Sequence, residues 1–343
     1  MSSNPSRLTP DASPLAAFTM VFPALWLLVV VISVVASAGE LWPQSGLLKI
    51  KITMPSRSIA FSDLYVAADR GFFQAEGLET EIVQARPDLA IAGMVTGEVD
   101  ADTAVGGAAL ASQRGMPIKI VAVTLYRPLF WLVAQSNYKS VTELKGLTLG
   151  ITSLNGIQHR TASHLLKNGG LDPAKDVNTI VIGGAPTLLS ALNSGSIQVT
   201  ALSPPTIIVA RDKFKARMLA EPPRDIIALQ SGFSVSEKQL AEKGDVVRRI
   251  LRARAKAHKY FFENEKGVSE TLAKFMKLDP AMVTEAYRMA RFGFTRDGTL
   301  TDKDAEELLR EDAKLLNLAS PASVAKVFDF SLQKEANREL GIQ

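Results

Sequence analysis

The chain has no cysteine among its 343 residues. A structural disulfide, a thiolate metal site, a cysteine nucleophile and a lipid-modified N-terminal cysteine are therefore excluded. Histidine is scarce too: His159, His164 and His258 are the whole supply, and the first two lie five apart, whereas paired ligands on a helix need three or four. No G-x-S-x-G, H-E-x-x-H, G-x-x-x-x-G-K-[ST] or G-x-G-x-x-G motif occurs, so the common signatures of acyl transfer, zinc hydrolysis and nucleotide binding are missing. No enzyme activity, cofactor or metal is expected. Charge of either sign is not in large excess, with 39 Lys+Arg against 35 Asp+Glu, a net of +4. That is weaker than the concentrated basic footprint of a nucleic-acid binder, so nucleic acid is not expected as a partner. With 47% apolar and 22% charged residues the chain is not disordered, and its length suits two compact units.

What is present begins with an apolar N-terminal run. No charged side chain occurs from Leu15 to Gly39, and Val21 to Ala36 is interrupted only by Pro23 and Ser33. Such a stretch belongs in lipid or a translocon. It follows a short polar segment with Arg7 and ends in Ala36-Ser37-Ala38, a small-x-small cleavage pattern. The reading is an export signal over residues 1–38, cut after Ala38; the alternative is an uncleaved anchor. Either places the rest of the chain outside the cytoplasmic membrane.

Strand-like and helical patterns then alternate, which implies doubly wound α/β structure. The first series is strand Leu48 to Thr53, helix Ile59 to Arg70, strand Glu79 to Gln84, helix Leu89 to Thr96, strand Val99 to Thr103, helix Ala108 to Arg114 and strand Ile118 to Thr124. Gly71 and Gly77 are placed at turns, the first as a left-handed cap. A second series gives strands Phe130 to Ala134 and Leu147 to Ile151, helix Ile157 to Asn168, strand Val177 to Ile182, helix Thr187 to Asn193 and strand Ile197 to Leu202. Met94 to Asp100 lines up with Leu192 to Gln198, each a helix end, a capping glycine and a buried strand, which suggests duplication. One more strand is expected at Ile226 to Gln230, then helices to the end. Among these, Arg248, Arg249, Arg252, Arg254, Lys256 and Lys259 read as the basic outer stripe of an amphipathic helix.

Open α/β sheets bind ligands beyond the carboxyl ends of their strands. Four such ends combine small polar residues with Gly or Pro: Pro55 to Ser58, Thr103 to Gly107, Thr152 to Gly156, and Ser203 to Pro205. They read as ordinary helix caps or as ligand-facing loops. Within them the candidate contacts are Ser56, Ser58, Thr103, Ala104, Val105, Ser153, Asn155, Gly156, Ser203 and Pro204, with Phe61 and Tyr126 as stacking candidates. Arg57, Arg127, and Arg160 beside His159 are candidate anion partners, the last with a solvated outer face as its alternative. Tyr65, Phe130 and Trp131 are placed in the core.

The stretch Ser62 to Leu78 (SDLYVAADRGFFQAEGL) resembles the "lyvA-x-x-x-GfF-x-x-eGl" opening of the nitrate, aliphatic-sulfonate and taurine group of ABC-transporter substrate-binding proteins, which includes thiamine-pyrimidine-precursor binders. Thr96 to Asp100, Gly115 to Lys119, Leu144 to Gly150, Gly170 to Pro173 and Ala191 to Gly195 resemble further segments of that family in the same order. The resemblance implies a type II periplasmic binding-protein fold: two doubly wound α/β lobes, a central ligand cleft and a helical C-terminal region. Lobe 1 would be residues 39–126 and 227–343, and lobe 2 residues 127–226, with crossings near Thr124 to Pro128 and Asp225 to Gln230. It implies a monomeric periplasmic protein that closes by hinge motion on a small polar or anionic organic ligand and delivers it to an ABC permease in the cytoplasmic membrane. An enzyme of thiamine-pyrimidine synthesis on the same scaffold, or a membrane-tethered sensor or adaptor, are the alternatives. Gln198 departs from the family, which commonly has an acid there, and this weakens any cap or ion pair near Ser203.

Overall fold

The structure, a computed structural model, describes residues 46–342. The export signal or anchor expected over residues 1–38 lies outside them. Among the described residues no helix is long and apolar enough to cross a membrane.

Among the described residues, ten strands form two five-stranded sheets. The first holds β1 (Leu48–Met54), β2 (Leu78–Gln84), β3 (Ala101–Asp102), β4 (Ile118–Leu125) and β10 (Ser231–Ser236) in the order β2-β1-β3-β10-β4. The second holds β5 (Trp131–Ala134), β6 (Thr148–Ile151), β7 (Asn178–Val181), β8 (Val199–Leu202) and β9 (Arg217–Ala220) in the order β7-β6-β8-β5-β9. In each sheet the first three strands run parallel. In each, the fourth position is an antiparallel strand, β10 or β5, which arrives directly after a crossing from the other sheet. The doubly wound expectation is thus met by mixed sheets, because a strand entering from the opposite half comes in from the other end.

The two sheets repeat one another in detail. Gly97 and Gly195 both end their helices in the left-handed conformation, at φ 87° and 81°. Asp100 then accepts from the Lys51 amide at 2.8 Å, and Gln198 accepts from the Thr148 amide at 3.1 Å. Gln198 therefore supplies the same strand-to-strand tie as the acid. It sits at the start of β8, at the opposite end from Ser203, so the weakening expected from this departure does not arise. Thr103 and Thr200, one position out of register with each other, each donate a hydroxyl at 2.8 Å to a carbonyl, of Thr53 or Gly150, on the neighbouring strand.

Helices cover the sheets. α1 (Ser62–Asp69), α2 (Phe72–Ala75), α3 (Pro87–Thr96) and α4 (Val105–Gln113) serve the first sheet; α5 (Ile157–Asn168), α6 (Ala185–Ser194) and α7 (Thr206–Phe214) serve the second. The C-terminal region is α8 (Glu237–Glu242), α9 (Gly244–Glu263), α10 (Glu265–Met276), α11 (Pro280–Ala290), α12 (Asp302–Leu316), α13 (Val324–Val327) and α14 (Ser331–Leu340). Ile52, Leu64, Val66, Leu78, Leu251 and Phe261 are buried where α1 and α9 pack beneath the first sheet. Each such side chain contributes about 1.5–3 kcal/mol on burial. A second cluster joins β4, α4, α12 and α13, and a third fills the far side of the second sheet.

Three expectations need correction. Ile226 to Gln230 is not a strand: it is the linker whose Ala228 and Gln230 amides donate to Tyr126 and Leu125 carbonyls at 2.8 and 3.0 Å, and the strand follows at Ser231–Ser236. The apolar Ile227 and Leu229 that suggested a strand pack instead into the second cluster. β9 was not anticipated, since Arg217-Met218-Leu219-Ala220 shows no alternation and follows a basic run. Finally, Arg254 is not on an outer basic stripe. It is fully buried on the inner face of α9, where its Nε donates to Asp63 at 2.9 Å.

Candidate functional site

The topology brings the four polar turns together in pairs. β1 and β3 are parallel neighbours, so Pro55 to Ser58 and Thr103 to Val105 leave the same edge of the first sheet. β6 and β8 are parallel neighbours, so Thr152 to Gly156 and Ser203 to Pro205 leave the same edge of the second. The latter pair is braced by a residue that sequence reasoning missed. The Gln158 carboxamide accepts from the Thr152 amide at 2.8 Å and donates to the Ala201 carbonyl at 2.8 Å, tying both turns to the first turn of α5. The available signal was a glutamine on the buried face of an otherwise amphipathic helix. In the first sheet the Gly232 amide donates to the Thr103 carbonyl at 3.1 Å, so the start of β10, just after the second crossing, runs against that turn.

The side chains in these turns divide into two groups. Ser58 is a cap, its Oγ accepting from the Ala60 amide at 3.3 Å, and Thr103 is committed to Thr53. Ala104 and Val105 are buried, with Val105 in the second core cluster. Gly156 packs against Ser153, since a Cβ there would lie 2.5 Å from Ser153 Oγ and displace that hydroxyl. By contrast, among the described residues no protein hydrogen bond engages the side chains of Ser56, Ser153, Asn155 or Ser203; the first three are exposed and Ser203 is half-buried. Asn155 sits at φ 59°, in the left-handed region that asparagine tolerates. Its amide donates to His159 Nδ1 at 3.0 Å. Burial lowers the His159 pKa, which favours the neutral ring this bond requires. Asp102, beneath the first pair of turns, is raised by burial, against the Thr53 hydroxyl and the Ala104 and Thr103 amides that hydrogen-bond its carboxylate.

Several candidates have other engagements. Phe61 is 6% exposed and belongs to the core, so it is not free to stack on a ligand. Tyr126 is half-buried, with the Arg127 guanidinium 4.5 Å from its ring centre. Arg127 itself donates to the Ile226 carbonyl at 3.1 Å and receives Gln230 Nε2 on its own carbonyl at 2.6 Å, which fastens the two crossings side by side. Arg57 reaches the Phe275 carbonyl at 3.4 Å. Pro204 is buried beneath its turn. Arg160 lines a cavity of about 360 Å³ between α5 and α12, together with His164, Asp225, Glu307 and Glu311.

On the other side of the crossings, Arg211 of α7 forks onto Glu285 of α11 and Trp131 meets Phe292 edge-to-face at 6.3 Å. The two sheets are therefore fastened together at the crossings and along this side, while the α5 to α12 side holds a cavity.

The family model described as NMT1/THI5 like matches residues 58–267. Among curated proteins, the riboflavin-binding protein RibY of Chloroflexus aurantiacus is 28% identical over 229 residues, 63% of this chain and 60% of that protein. This chain thus spans less than two thirds of that relative's length. Among solved structures, the alkanesulfonate-binding protein SsuA of Xanthomonas axonopodis pv. citri, bound to MOPS, superposes with a TM-score of 0.64 at 18% identity, covering 82% of this chain and 98% of that one. The desulfurization enzyme DSZB superposes with a TM-score of 0.64 at 13% identity, covering 85% and 99%. At such identities these likenesses establish the fold alone, and that fold carries both a binding protein and an enzyme.

Proposed function

Because the chain belongs to the NMT1/THI5-like family, we propose that it is an exported solute-binding protein whose two lobes close on one small organic ligand and hand it to an ABC permease. Lobe 1 is residues 39–126 with 227–343, and lobe 2 is residues 127–226. The observation that carries this reading is the pairing of the turns: each sheet presents two adjacent carboxyl-terminal strand ends, with the uncommitted side chains of Ser56, Ser153, Asn155 and Ser203 among them. Short hydroxyl and amide groups on braced turns suit a polar ligand held by several neutral hydrogen bonds. Closure would remove it from water and give the permease a changed surface to recognise. The relatives bind ligands as different as riboflavin and a sulfonate buffer. A ligand with a polar or anionic group and an organic body spans that range.

The test is a thermal-shift screen of the purified protein against sulfonates, carboxylates, nitrate, pyrimidines and riboflavin. Binding to the folded state alone raises the melting temperature by mass action, by about 2.7 kcal/mol in stability at a hundredfold excess over Kd. A melting curve unmoved by every class would sink the proposal. The shared fold with DSZB keeps an enzyme as the second reading. Mass spectrometry of the hit after incubation separates the two, since a binding protein returns its ligand with unchanged mass.

A further inference from the structure

The cavity between α5 and α12 joins the second sheet's first helix to a helix of the C-terminal region in the other half. Its walls are strongly charged: Arg160 and His164 from α5, Asp225 from the crossing, and Glu307 and Glu311 from α12. Just behind them on α12 lies Asp312, 6% exposed. Among the described residues, no hydrogen bond or ion pair reaches the Asp312 carboxylate, and none engages the Arg160 guanidinium. A carboxylate buried without a partner is costly, and the cation whose field reaches it is Arg160, from the opposite half.

We propose that Arg160 and Asp312 form an electrostatic latch between the halves, joined when α5 draws towards α12 and parted when it swings away. The proposal rests on the lobe-closure reading above and names a device that regulates it. Burial lifts the Asp312 pKa to about 6, against the pull of Arg160 and with a push from Glu311. The carboxylate thus ionises within the range a periplasmic fluid experiences, and the latch strengthens as pH rises. The other charges in reach are few. His164 on α5 faces the same cavity and is hydrogen-bonded to Asn168 at 2.9 Å. Glu307 and Asp225 add negative charge around Arg160. α4 carries no ionisable side chain, and the one on α13, Lys326, is engaged by Glu237 at 2.9 Å.

The absence of native cysteine makes the test direct. Lys167→Cys on α5 and Lys303→Cys on α12, both exposed, take spin labels, and pulsed dipolar spectroscopy reads their separation at pH 5 and pH 8 without any ligand. The expected result is a shift to shorter separations at pH 8, abolished by Arg160→Gln and by Asp312→Asn. Loss of a buried charge does not threaten folding in the second variant, which guards against a trivial failure. A separation that ignores pH, or a shift that survives in both variants, overturns the latch. So does a shift that vanishes in His164→Gln but persists in Asp312→Asn. Because no ligand is used, the latch can fail while the thermal-shift screen succeeds, and the reverse.

Discussion

Asp63 of α1 and Arg254 of α9, 191 positions apart, meet inside the protein: Arg254 Nε lies 2.9 Å from Asp63 Oδ2, and neither side chain is more than 2% exposed. The same carboxylate takes the Thr124 hydroxyl at 2.9 Å and His258 Nδ1 at 3.0 Å, while His258 Nε2 reaches the Thr295 carbonyl at 2.8 Å. One carboxylate thereby links α1, the end of β4 just before the first crossing, α9, and the segment after α11. Burial alone would raise the Asp63 pKa, but His258 and Arg254 outweigh it and hold the group below the ordinary carboxylate value.

Removing one member of this cluster leaves the other charges buried without compensation. Asp63→Asn and Arg254→Met are each expected to cost about 3–5 kcal/mol, the range for breaking a buried ion pair. The double variant is expected to cost less than their sum, because the residual charge is then gone. Urea denaturation of the four proteins checks both statements. Gly298→Ala should act through the same cluster, since its Cβ would fall 1.8 Å from Arg254 Nη1 at a φ of +82°.

Stability should respond to pH in two windows of opposite sign. Asp63 is depressed, so its contribution is complete above the unfolded value near 3.8 and is lost as pH falls through the folded one. Asp312 is raised to about 6, so the folded state holds that proton more tightly than the unfolded chain does. Its effect is to withdraw stability as pH rises from about 4 through about 6, by up to about 3 kcal/mol. Asp312→Asn should flatten this second window and stabilise the protein at pH 8. Thermal melts of both proteins from pH 3 to 8 measure it, and an unchanged slope between pH 4 and 6 would contradict the assignment.

How far the sequence carries this structure depends on whether local pattern and tertiary environment agree. Helix Ile157 to Asn168 is recovered with its limits, because an amphipathic pattern starts after Gly156 and stops at Gly169. The strand Ser231–Ser236 is not, since its serines and glycine are all buried by the sheet around them and no alternation survives. Arg254 and His258 stand in register with Val247, Ile250 and Phe261 on the buried face of α9. Periodicity places them inside, while their charge argues for water, and only the distant Asp63 decides the matter. The polar turns were legible as turns. Which hydroxyls are spent on caps and which remain available depends on neighbours such as Ala60 and Thr53, beyond the reach of composition.

Gln158 should matter to the site more than its exposed neighbours. Gln158→Leu keeps the volume but strands the Thr152 amide and the Ala201 carbonyl, each worth about 1–3 kcal/mol when buried unsatisfied. Loosened turns would also lose their register for a ligand. The expected outcome is a stability loss of about 2–4 kcal/mol together with weaker binding of any screen hit by isothermal titration. Leu154→Ala, at 65% exposure in the same loop, should leave stability nearly unchanged.

The last expectation separates a fastening from a stabilising pair. Arg211 and Glu285 form a forked ion pair across the halves, yet their side chains are 35% and 39% exposed. At that exposure solvent screens most of the attraction, and such pairs contribute about 0–1 kcal/mol. Glu285→Gln should therefore leave the melting temperature almost unmoved. Arg127→Ala removes both the bond to the Ile226 carbonyl and the cation over Tyr126, in the half-buried join between crossings, and should cost about 1–3 kcal/mol. If the crossings act as the hinge, Arg127→Ala also broadens the label separation distribution between Lys167→Cys and Lys303→Cys, and Glu285→Gln does so less. Equal broadening in both variants would mean that the α7 to α11 contact shares the hinge's load, and a sharp distribution in both would place the hinge elsewhere.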